Sequence, residues 1–543
     1  MKGRGAIGIG LAMVLVMAGA GGWVYYQTLD ENDEPISVGT TMAPTVLDPA
    51  GAYDIGSWAL TSNLFQSLLT FVPGKEQPVP DAAESCDFTD EELTVFRCTL
   101  RDDLRFSNGN AMTPDDVKFS YERIIGMAAR AQREAEDDTI PEEEKFAFAG
   151  PAGLLGSLAA VRTDGQDVIF ELNQSDATFP FIVAGAAGAI VDRQSYQELD
   201  LHADDSVVGS GPFVLDRYVA DDVAELSPNP NYSGAADPAE NAITVRYFVQ
   251  QGDGPTAEEQ LAEAWENEEI DVNGGVMPPE AMAELNRSDP DIAFAEQAGA
   301  NTRVMGFNTD EDRTFGSRAA RRAVAALIDR EAIARRVQQA TVQPLYSLIP
   351  AGFTGHSTPY YDLYYDMEVE DVREELTSAG LELPVQFDLA YSRGAANTAE
   401  AEFIAETLEE SGLFEVTTTY YDWSEFVPTL FGERAFDAYL LSFAADFPDP
   451  ATFTDNLIGP VDGIATGFSD DEINALIEPT RAVMDRGRVA PDFEHIHQLA
   501  AEEAPVIPIW QETRVTISTS DIAGIQQLAS NSGVWRLWEL HRI

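Results

Sequence analysis

Apolar and polar positions along this chain repeat with two periods, one typical of strands and one typical of helices. Short runs rich in β-branched and aromatic residues predict strands at 36–41, 168–172, 243–250, 303–308, 385–391, 415–420, 438–443 and 506–510. Apolar residues at helical spacing predict helices at 63–71, from 154 to a turn at 163–165, and at 256–268, 317–337, 398–411 and 493–502. This rhythm of strand, helix and strand predicts an α/β fold.

Two helix starts carry recognisable capping residues. In the stretch 106–123 (FSNGNAMTPDDVKFSYER), residues 107–110 form a turn, and Thr113 and Pro114 then suit the cap and the first helical position. Four residues at helical spacing predict the buried stripe of this helix: Val117, Tyr121, Ile124 and Ile125. The helical segment 317–337 should break at Ile328, because Asp329 can cap a second helix.

Length and charge limit the classes of function. A chain of 543 residues is too long for one core, so we expect two or three domains. Its 33 basic and 93 acidic residues give a formal charge of −60. This field repels nucleic acid and anionic membranes, so we expect no nucleic-acid partner.

The N-terminal residues 1–35 predict export. Lys2 and Arg4 precede an uncharged, mostly apolar run at 6–26, and Ala18-Gly19-Ala20 fits a signal-peptide cleavage site. The alternative is an uncleaved membrane anchor, since the apolar run nearly reaches the length of a membrane span. In either case, we expect the rest of the chain to lie outside the cytoplasm.

Cys86 and Cys98 are the two cysteines of the sequence. The segment between them predicts a hairpin around Glu91-Glu92, which places the cysteines opposite each other and Phe88 opposite Phe96. We expect a cross-strand disulfide in an oxidising compartment, with two buried free thiols as the alternative.

The sequence has none of the motifs that mark common catalytic sites. Nucleophile-elbow, Walker, His-Glu-x-x-His and Cys-x-x-Cys motifs are all absent. His495 and His497 are two residues apart and therefore face different sides of a helix, which makes them a poor metal pair. We therefore expect no catalytic residue, no metal and no cofactor; a secreted hydrolase is the alternative from a different functional class.

The stretch 106–123 resembles a signature of family 5 of the extracellular solute-binding proteins, the peptide/nickel class that captures solutes for ABC importers. Further phrases resemble the same family: Leu47-Asp48-Pro49, Gly209-Ser210-Gly211-Pro212-Phe213, LSPNPNY at 226–232 and RRAVAALIDREAIARRV at 321–337. The resemblance implies two α/β lobes joined by two crossing strands, with an extra subdomain in the first lobe.

By that pattern, lobe I comprises residues 36–298 with its subdomain near 60–185, and lobe II comprises 299–504. Residues 505–543 return to lobe I. A ligand would bind between the lobes, and a hinge motion would enclose it.

The resemblance also assigns ligand-binding residues. Asp446, in FAADFPDP, matches an aspartate that pairs with the α-ammonium of a bound peptide. Phe443 stands where relatives have a Trp, and Ala444 and Ala445 would offer backbone to an extended peptide. A structural alternative for Asp446 is capping of the turn before Pro448.

Arg393 matches a position where dipeptide-binding relatives hold the ligand carboxylate, although a surface ion pair is the alternative. The resemblance thus predicts a monomeric receptor that delivers an oligopeptide or dipeptide to ABC permease subunits and their cytoplasmic ATPases. Nickel chelates, sugars and other small solutes are alternative ligands.

Overall fold

The computed structural model describes residues 34–543, apart from 73, 76, 138, 142–143, 205, 253 and 529–533. Nearly all of the expected signal peptide or anchor therefore lies outside the described residues. Within the described part of the chain, none of the helices combines the length and the apolar composition that a membrane span requires.

In chain order the strands are β1 (Ile36–Thr40), β2 (Leu69–Thr70), β3 (Val79–Pro80), β4 (Ala83–Phe88), β5 (Val95–Leu100), β6 (Leu158–Asp164), β7 (Asp167–Leu172), β8 (Phe213–Val219), β9 (Val223–Pro228), β10 (Ile243–Tyr247), β11 (Val272–Asn273), β12 (Ile292–Phe307), β13 (Val342–Pro344), β14 (Val385–Ser392), β15 (Phe414–Tyr421), β16 (Ala438–Ala444), β17 (Val506–Thr519), β18 (Ile522–Ala523) and β19 (His541–Arg542).

The α-helices are α1 (Ile55–Leu64), α2 (Pro114–Ala135), α3 (Phe179–Ala184), α4 (Ala257–Glu266), α5 (Pro279–Glu284), α6 (Arg318–Leu327), α7 (Arg330–Ala332), α8 (Pro359–Tyr364), α9 (Val369–Ser378), α10 (Ala395–Glu410), α11 (Trp423–Val427), α12 (Ala451–Leu457), α13 (Asp471–Thr480) and α14 (Ala490–Glu503).

One sheet runs through the molecule in the order β15-β14-β16-β12-β17-β11-β1-β10-β9-β8, and β13 also pairs with β17. Its centre is the antiparallel pair β12 and β17, matched from Ile292 opposite Thr519 to Gly306 opposite Val506. The register of this pair shifts near Ala298 and near Arg303. A separate sheet has the order β4-β5-β7-β6.

The buried apolar side chains form two large cores. One core, which we call lobe I, contains residues from 36–295 and 522–540; the other, lobe II, contains residues from 304–509, except that Phe447 from this range packs in the first core. β12 leaves lobe I and enters lobe II, and β17 returns in the opposite direction. These two long strands confirm the expected two-lobed α/β fold with crossing strands.

The hairpin of β4 and β5 confirms the expected disulfide. Cys86 lies opposite Cys98 in the register of the two strands, and the two residues are joined by a disulfide bond. Phe88 lies opposite Phe96, with 4.9 Å between the ring centroids. The disulfide therefore links β5, whose Phe96 and Cys98 belong to the core of lobe I, to β4, whose Cys86 and Phe88 pack against that core.

Two predicted helices are wrong in part. The helix predicted at 63–71 lies at α1, where the Asp54 carboxylate accepts a hydrogen bond from the Ser57 N–H at 2.8 Å, and it ends at Leu64. Leu69–Thr70 then forms β2, because a short, fully buried apolar run suits a strand as well as a helix. Likewise, the segment after 154 is mainly β6, which pairs with β7 in the second sheet.

The predicted start of α2 at Thr113 and Pro114 is confirmed. Two details differ from the prediction: the Thr113 hydroxyl acts as a hydrogen-bond donor, and one residue of the predicted buried stripe is exposed. The Thr113 hydroxyl donates to the Asp116 carboxylate at 2.6 Å, and the same carboxylate accepts the Thr113 N–H. Val117, Tyr121 and Ile124 are buried as expected, whereas Ile125 is exposed.

α2 also contributes a buried ion pair to lobe I. The Arg123 guanidinium donates to both carboxylate oxygens of Asp48, at 2.6 and 2.5 Å, and both side chains are fully buried. Two family-like phrases far apart in sequence are thus joined by one contact, which fixes the start of lobe I against α2.

The predicted break in the segment 317–337 is also confirmed. α6 ends at Leu327, and the Asp329 carboxylate accepts a hydrogen bond from the Ala332 N–H at 2.8 Å, which starts α7. Residues Ile333–Val337 continue this element as a π-helix.

Candidate functional site

The cleft between the lobes is bordered in lobe II by the carboxyl ends of parallel strands. β14 runs parallel to β15 and to β16, so the loops that follow all three strands lie at one edge of the sheet. Ligands of open α/β sheets bind in the crevice outside such an edge. Asp446 follows β16 at this edge, and Arg393 follows β14.

The Asp446 carboxylate contacts lobe I directly. The Tyr53 hydroxyl, from the segment before α1, donates a hydrogen bond to Asp446 Oδ1 at 2.6 Å. On the lobe II side, the Thr452 hydroxyl lies 3.4 Å from Oδ2 and accepts the Asp446 N–H at 3.2 Å. Asp446 therefore stands where the two lobes meet, as the resemblance implied, and its contact with Thr452 also fits the capping alternative.

The charge of Asp446 lacks a cation. Among the described residues, no Arg, Lys or His forms an ion pair with this carboxylate, and its hydrogen-bond donors are neutral groups. Burial raises the pKa of Asp446, and the hydrogen bonds from Tyr53 and Thr452 offset part of this rise. Burial and the neighbouring carboxylate also raise the pKa of Tyr53, so the phenol stays protonated and donates. A cationic group entering the cleft would supply the missing charge.

The residues before Asp446 provide an aromatic side chain and a strand edge. The Phe443 ring packs edge-on against Phe453, with 5.7 Å between centroids. Ala444 pairs with Asn301 of β12 on one side. On the other side, pairing between β14 and β16 covers only Ala438 and Tyr439 within the described strands, so the end of β16 has an unpaired edge toward β14. An extended peptide can add its backbone to an edge of this kind.

Arg393 lies at the same edge but already has a partner. Its side chain is largely exposed, forms an ion pair with Asp422 at 2.5 Å and stacks on Tyr420 with 4.4 Å to the ring centroid. This geometry corresponds to the surface ion pair considered as the alternative. The ligand-binding role of Arg393 stays a prediction.

Other contacts also join the lobes near the cleft. The Ala177 N–H of lobe I donates to the Arg481 carbonyl of lobe II at 2.7 Å, and Phe181 packs against Phe447 with 6.2 Å between centroids. Beside this contact, Asp455 pairs with Arg481 at 2.8 Å. Together with the Tyr53 contact, these interactions join lobe I to lobe II.

Sequence reasoning missed Tyr53. This residue follows the Leu-Asp-Pro turn by four positions, and nothing in its local pattern separates it from an ordinary surface tyrosine. Its partner lies 393 residues away along the chain, so only the folded arrangement of the lobes reveals the contact. Among the described residues, we find no cluster of His, Cys, Asp and Glu that could hold a metal ion.

The chain is similar to known solute-binding proteins over most of its length. It is 25% identical to Di/tripeptide-binding protein 1 of Pseudomonas aeruginosa, covering 87% of this chain and 88% of that protein. It is 23% identical to Heme-binding protein A of Haemophilus influenzae, covering 87% and 86%. The structure of DppA from Helicobacter pylori in complex with the peptide STSA matches with a TM-score of 0.76 at 20% identity, covering 94% of this chain and 98% of that chain.

The family model described as bacterial extracellular solute-binding proteins, family 5 (middle region), matches residues 77–463. This range includes the motif at 106–123, the crossing strand β12, strand β16 and Asp446. The chain therefore belongs to family 5 of the bacterial extracellular solute-binding proteins.

Proposed function

We propose that this protein captures short peptides between its two lobes and delivers them, chemically unchanged, to the permease subunits of an ABC importer. The observation that carries the proposal is the half-buried Asp446 carboxylate, which faces the opposite lobe without a cation among the described residues. The α-ammonium of a peptide has the charge and the donors that this carboxylate requires.

Binding would exchange one partner of Asp446 for another. The Tyr53 hydroxyl donates to Oδ1, and an entering ammonium would displace it or share the carboxylate with it. A ligand without the ammonium would leave the enclosed carboxylate uncompensated, which is costly. Recognition of the amino terminus is therefore selective, while the side chains of the ligand contribute less.

The rest of the peptide would lie along the end of β16. Ala444 and Ala445 would offer backbone groups, and Phe443 would contact a side chain of the ligand. Arg393 already forms an ion pair with Asp422. To hold the carboxylate of a dipeptide, its guanidinium would have to break this ion pair or bind both carboxylates at once. Longer peptides would not need this exchange.

The relatives support a peptide ligand and also define the alternative. Relatives named for di- and tripeptide binding and a structural match with a bound peptide favour peptides. The relative named for heme binding favours a different small solute on the same fold. In both cases the protein would act as a monomeric receptor outside the cytoplasm, exported by its N-terminal segment or anchored through it.

The test is calorimetric titration of the protein with a defined pool of di- and tripeptides, followed by mass spectrometry of the mixture. We expect saturable binding of peptides that have a free amino terminus, and recovery of every peptide intact. Hydrolysed products would contradict the receptor role, and absence of peptide binding together with a co-purified non-peptide solute would favour the alternative ligand.

A further inference from the structure

Lobe I contains a cavity that is separate from the cleft. Its volume is about 170 Å³, and all the residues that line it belong to lobe I. Trp58 of α1 and Phe65, which follows α1, form part of the wall, and the C-terminal segment contributes Arg536 and Trp538. For scale, an engineered apolar cavity of about 150 Å³ in another protein binds benzene.

Arg536 is a buried cation that forms no ion pair within the described part of the chain. Its side chain is 5% exposed, and its guanidinium forms no hydrogen bond and no ion pair with any described residue. Burial lowers the pKa of Arg536, and attraction to Glu539 offsets only part of this effect. A buried charge that stays unpaired is costly, so this arrangement is incomplete without an anion.

Trp538 lines the same cavity and has an unused donor. It is 9% exposed, and its Nε1–H has no acceptor among the described residues. The Arg536 guanidinium lies over the Trp538 ring, with 5.7 Å to the ring centroid. Arg536 and Trp538 therefore lie side by side in the cavity wall.

Three carboxylates line the cavity, Asp81, Asp237 and Glu539, and the buried one, Asp81, is already occupied. Asp81 accepts the Ala235 N–H at 2.7 Å and lies 3.4 Å from both the Gln66 amide and the Tyr232 hydroxyl. It therefore holds the wall together and does not neutralise Arg536. This contrasts with Arg123, whose guanidinium is saturated by Asp48 and two backbone carbonyls.

We propose that this cavity is a second binding site that takes a small monocarboxylate with an aromatic or branched aliphatic body. The carboxylate would accept from the Arg536 guanidinium and the Trp538 indole, and the apolar body would pack on Trp58 and Phe65. None of the cleft residues Tyr53, Phe443 and Asp446 lines this cavity. Binding at this site would therefore be independent of peptide capture.

The test compares phenylacetate with phenylacetamide, titrated into the full chain by calorimetry. We expect saturable binding of the acid and at least about tenfold weaker binding of the amide, because the amide lacks the charge that pairs with Arg536. Arg536→Gln should weaken binding of phenylacetate by about tenfold or more. Trp538→Phe, which removes only the indole donor, should weaken it by about two- to fivefold.

Two controls separate this site from the cleft. Asp446→Ala should leave the affinity for phenylacetate unchanged, and so should Arg393→Gln, which removes an exposed, paired guanidinium. If Arg536→Gln fails to fold, Trp538→Phe still tests the site. Equal binding of acid and amide by the native protein, or unchanged affinity in both cavity variants, would overturn the proposal.

Discussion

The cleft and the lobe I cavity each contain a charged side chain that forms no ion pair with a described residue, but the surroundings of the two charges differ. Asp446 in the cleft has a neutral partner from the opposite lobe, the Tyr53 hydroxyl. Arg536 in the cavity has none among the described residues. The difference indicates that the charge in the cleft is coupled to closure of the lobes, whereas the charge in the cavity is not.

A third buried charge shows what a purely structural role looks like. Arg123 is as deeply buried as Arg536, yet both oxygens of Asp48 and the carbonyls of Gln197 and Asp200 saturate its donors. Burial alone therefore does not mark a binding site. The informative feature is a buried charge whose donors or acceptors are left over.

The largest expected effect is on stability and separates the two arginines. Arg123→Met leaves Asp48 buried without its cation, so we expect the free energy of unfolding to fall by about 3–5 kcal/mol. Arg536→Met removes a cation that has no partner, so we expect a loss of at most about 1 kcal/mol or a gain. Urea unfolding of both variants measures this, and equal losses would remove the contrast between them.

The next effect is on peptide affinity. Asp446→Ala removes the acceptor for the ligand ammonium, so we expect binding of a free-amine tripeptide to weaken by about tenfold to a hundredfold. Arg393→Gln is the matched control, with little effect expected on a tripeptide because Arg393 is exposed and paired. Calorimetry gives both values. An unchanged affinity for Asp446→Ala would assign that residue to turn capping alone.

A smaller effect concerns closure without ligand. Tyr53→Phe deletes the hydrogen bond that joins Asp446 to lobe I, and a bond of this kind contributes about 1 kcal/mol. We therefore expect a larger open fraction of the empty protein, measured as an increased radius of gyration by small-angle X-ray scattering. Tyr365→Phe, at an exposed position in lobe II, is the control. The same radius of gyration in all three proteins would show that the contact does not hold the lobes.

An effect of comparable size is expected on the stability of the protein when the pH changes. Asp455, paired with Arg481 at the contact between the lobes, is partly buried, its Oδ1 has no partner among the described residues, and burial raises its pKa to about 6. The pKa of Asp455 is higher in the folded protein than in the unfolded chain, so protonation of this carboxylate stabilises the folded protein at low pH. This contribution to the free energy of unfolding is lost as the pH rises from about 4 to 6.

Between pH 5 and pH 7 we therefore expect the native protein to lose about 1 kcal/mol relative to Asp455→Asn. Urea unfolding of both proteins at the two pH values measures the difference. Parallel changes in the native protein and the variant would show that Asp455 titrates normally.

Features set by neighbouring residues were the ones that could be predicted from the sequence. The cysteine hairpin was predicted because its strands pair across a short turn, and the break before α7 was predicted because Asp329 caps it locally. The helix predicted at 63–71 was wrong because this segment is a short run of buried apolar residues, Leu69 among them. In such a run the spacing of apolar and polar residues does not distinguish a helix from a strand.

Features that depend on distant contacts could not be derived in this way. Asp446 was identified only through a resemblance to a family, and its partner Tyr53 required the folded arrangement of both lobes. Arg536 and Trp538 have no sequence signal, because what distinguishes them is the absence of partners among the described residues. That property exists only once the side chains are packed.

The central claim is that Asp446 recognises the amino terminus of a peptide, and one calorimetric cycle tests it directly. The affinities of a tripeptide and its N-acetylated form are measured for the native protein and for Asp446→Asn. We predict that acetylation weakens binding to the native protein by at least about tenfold and has almost no effect on binding to the variant. An equal acetylation effect in both proteins would contradict the account.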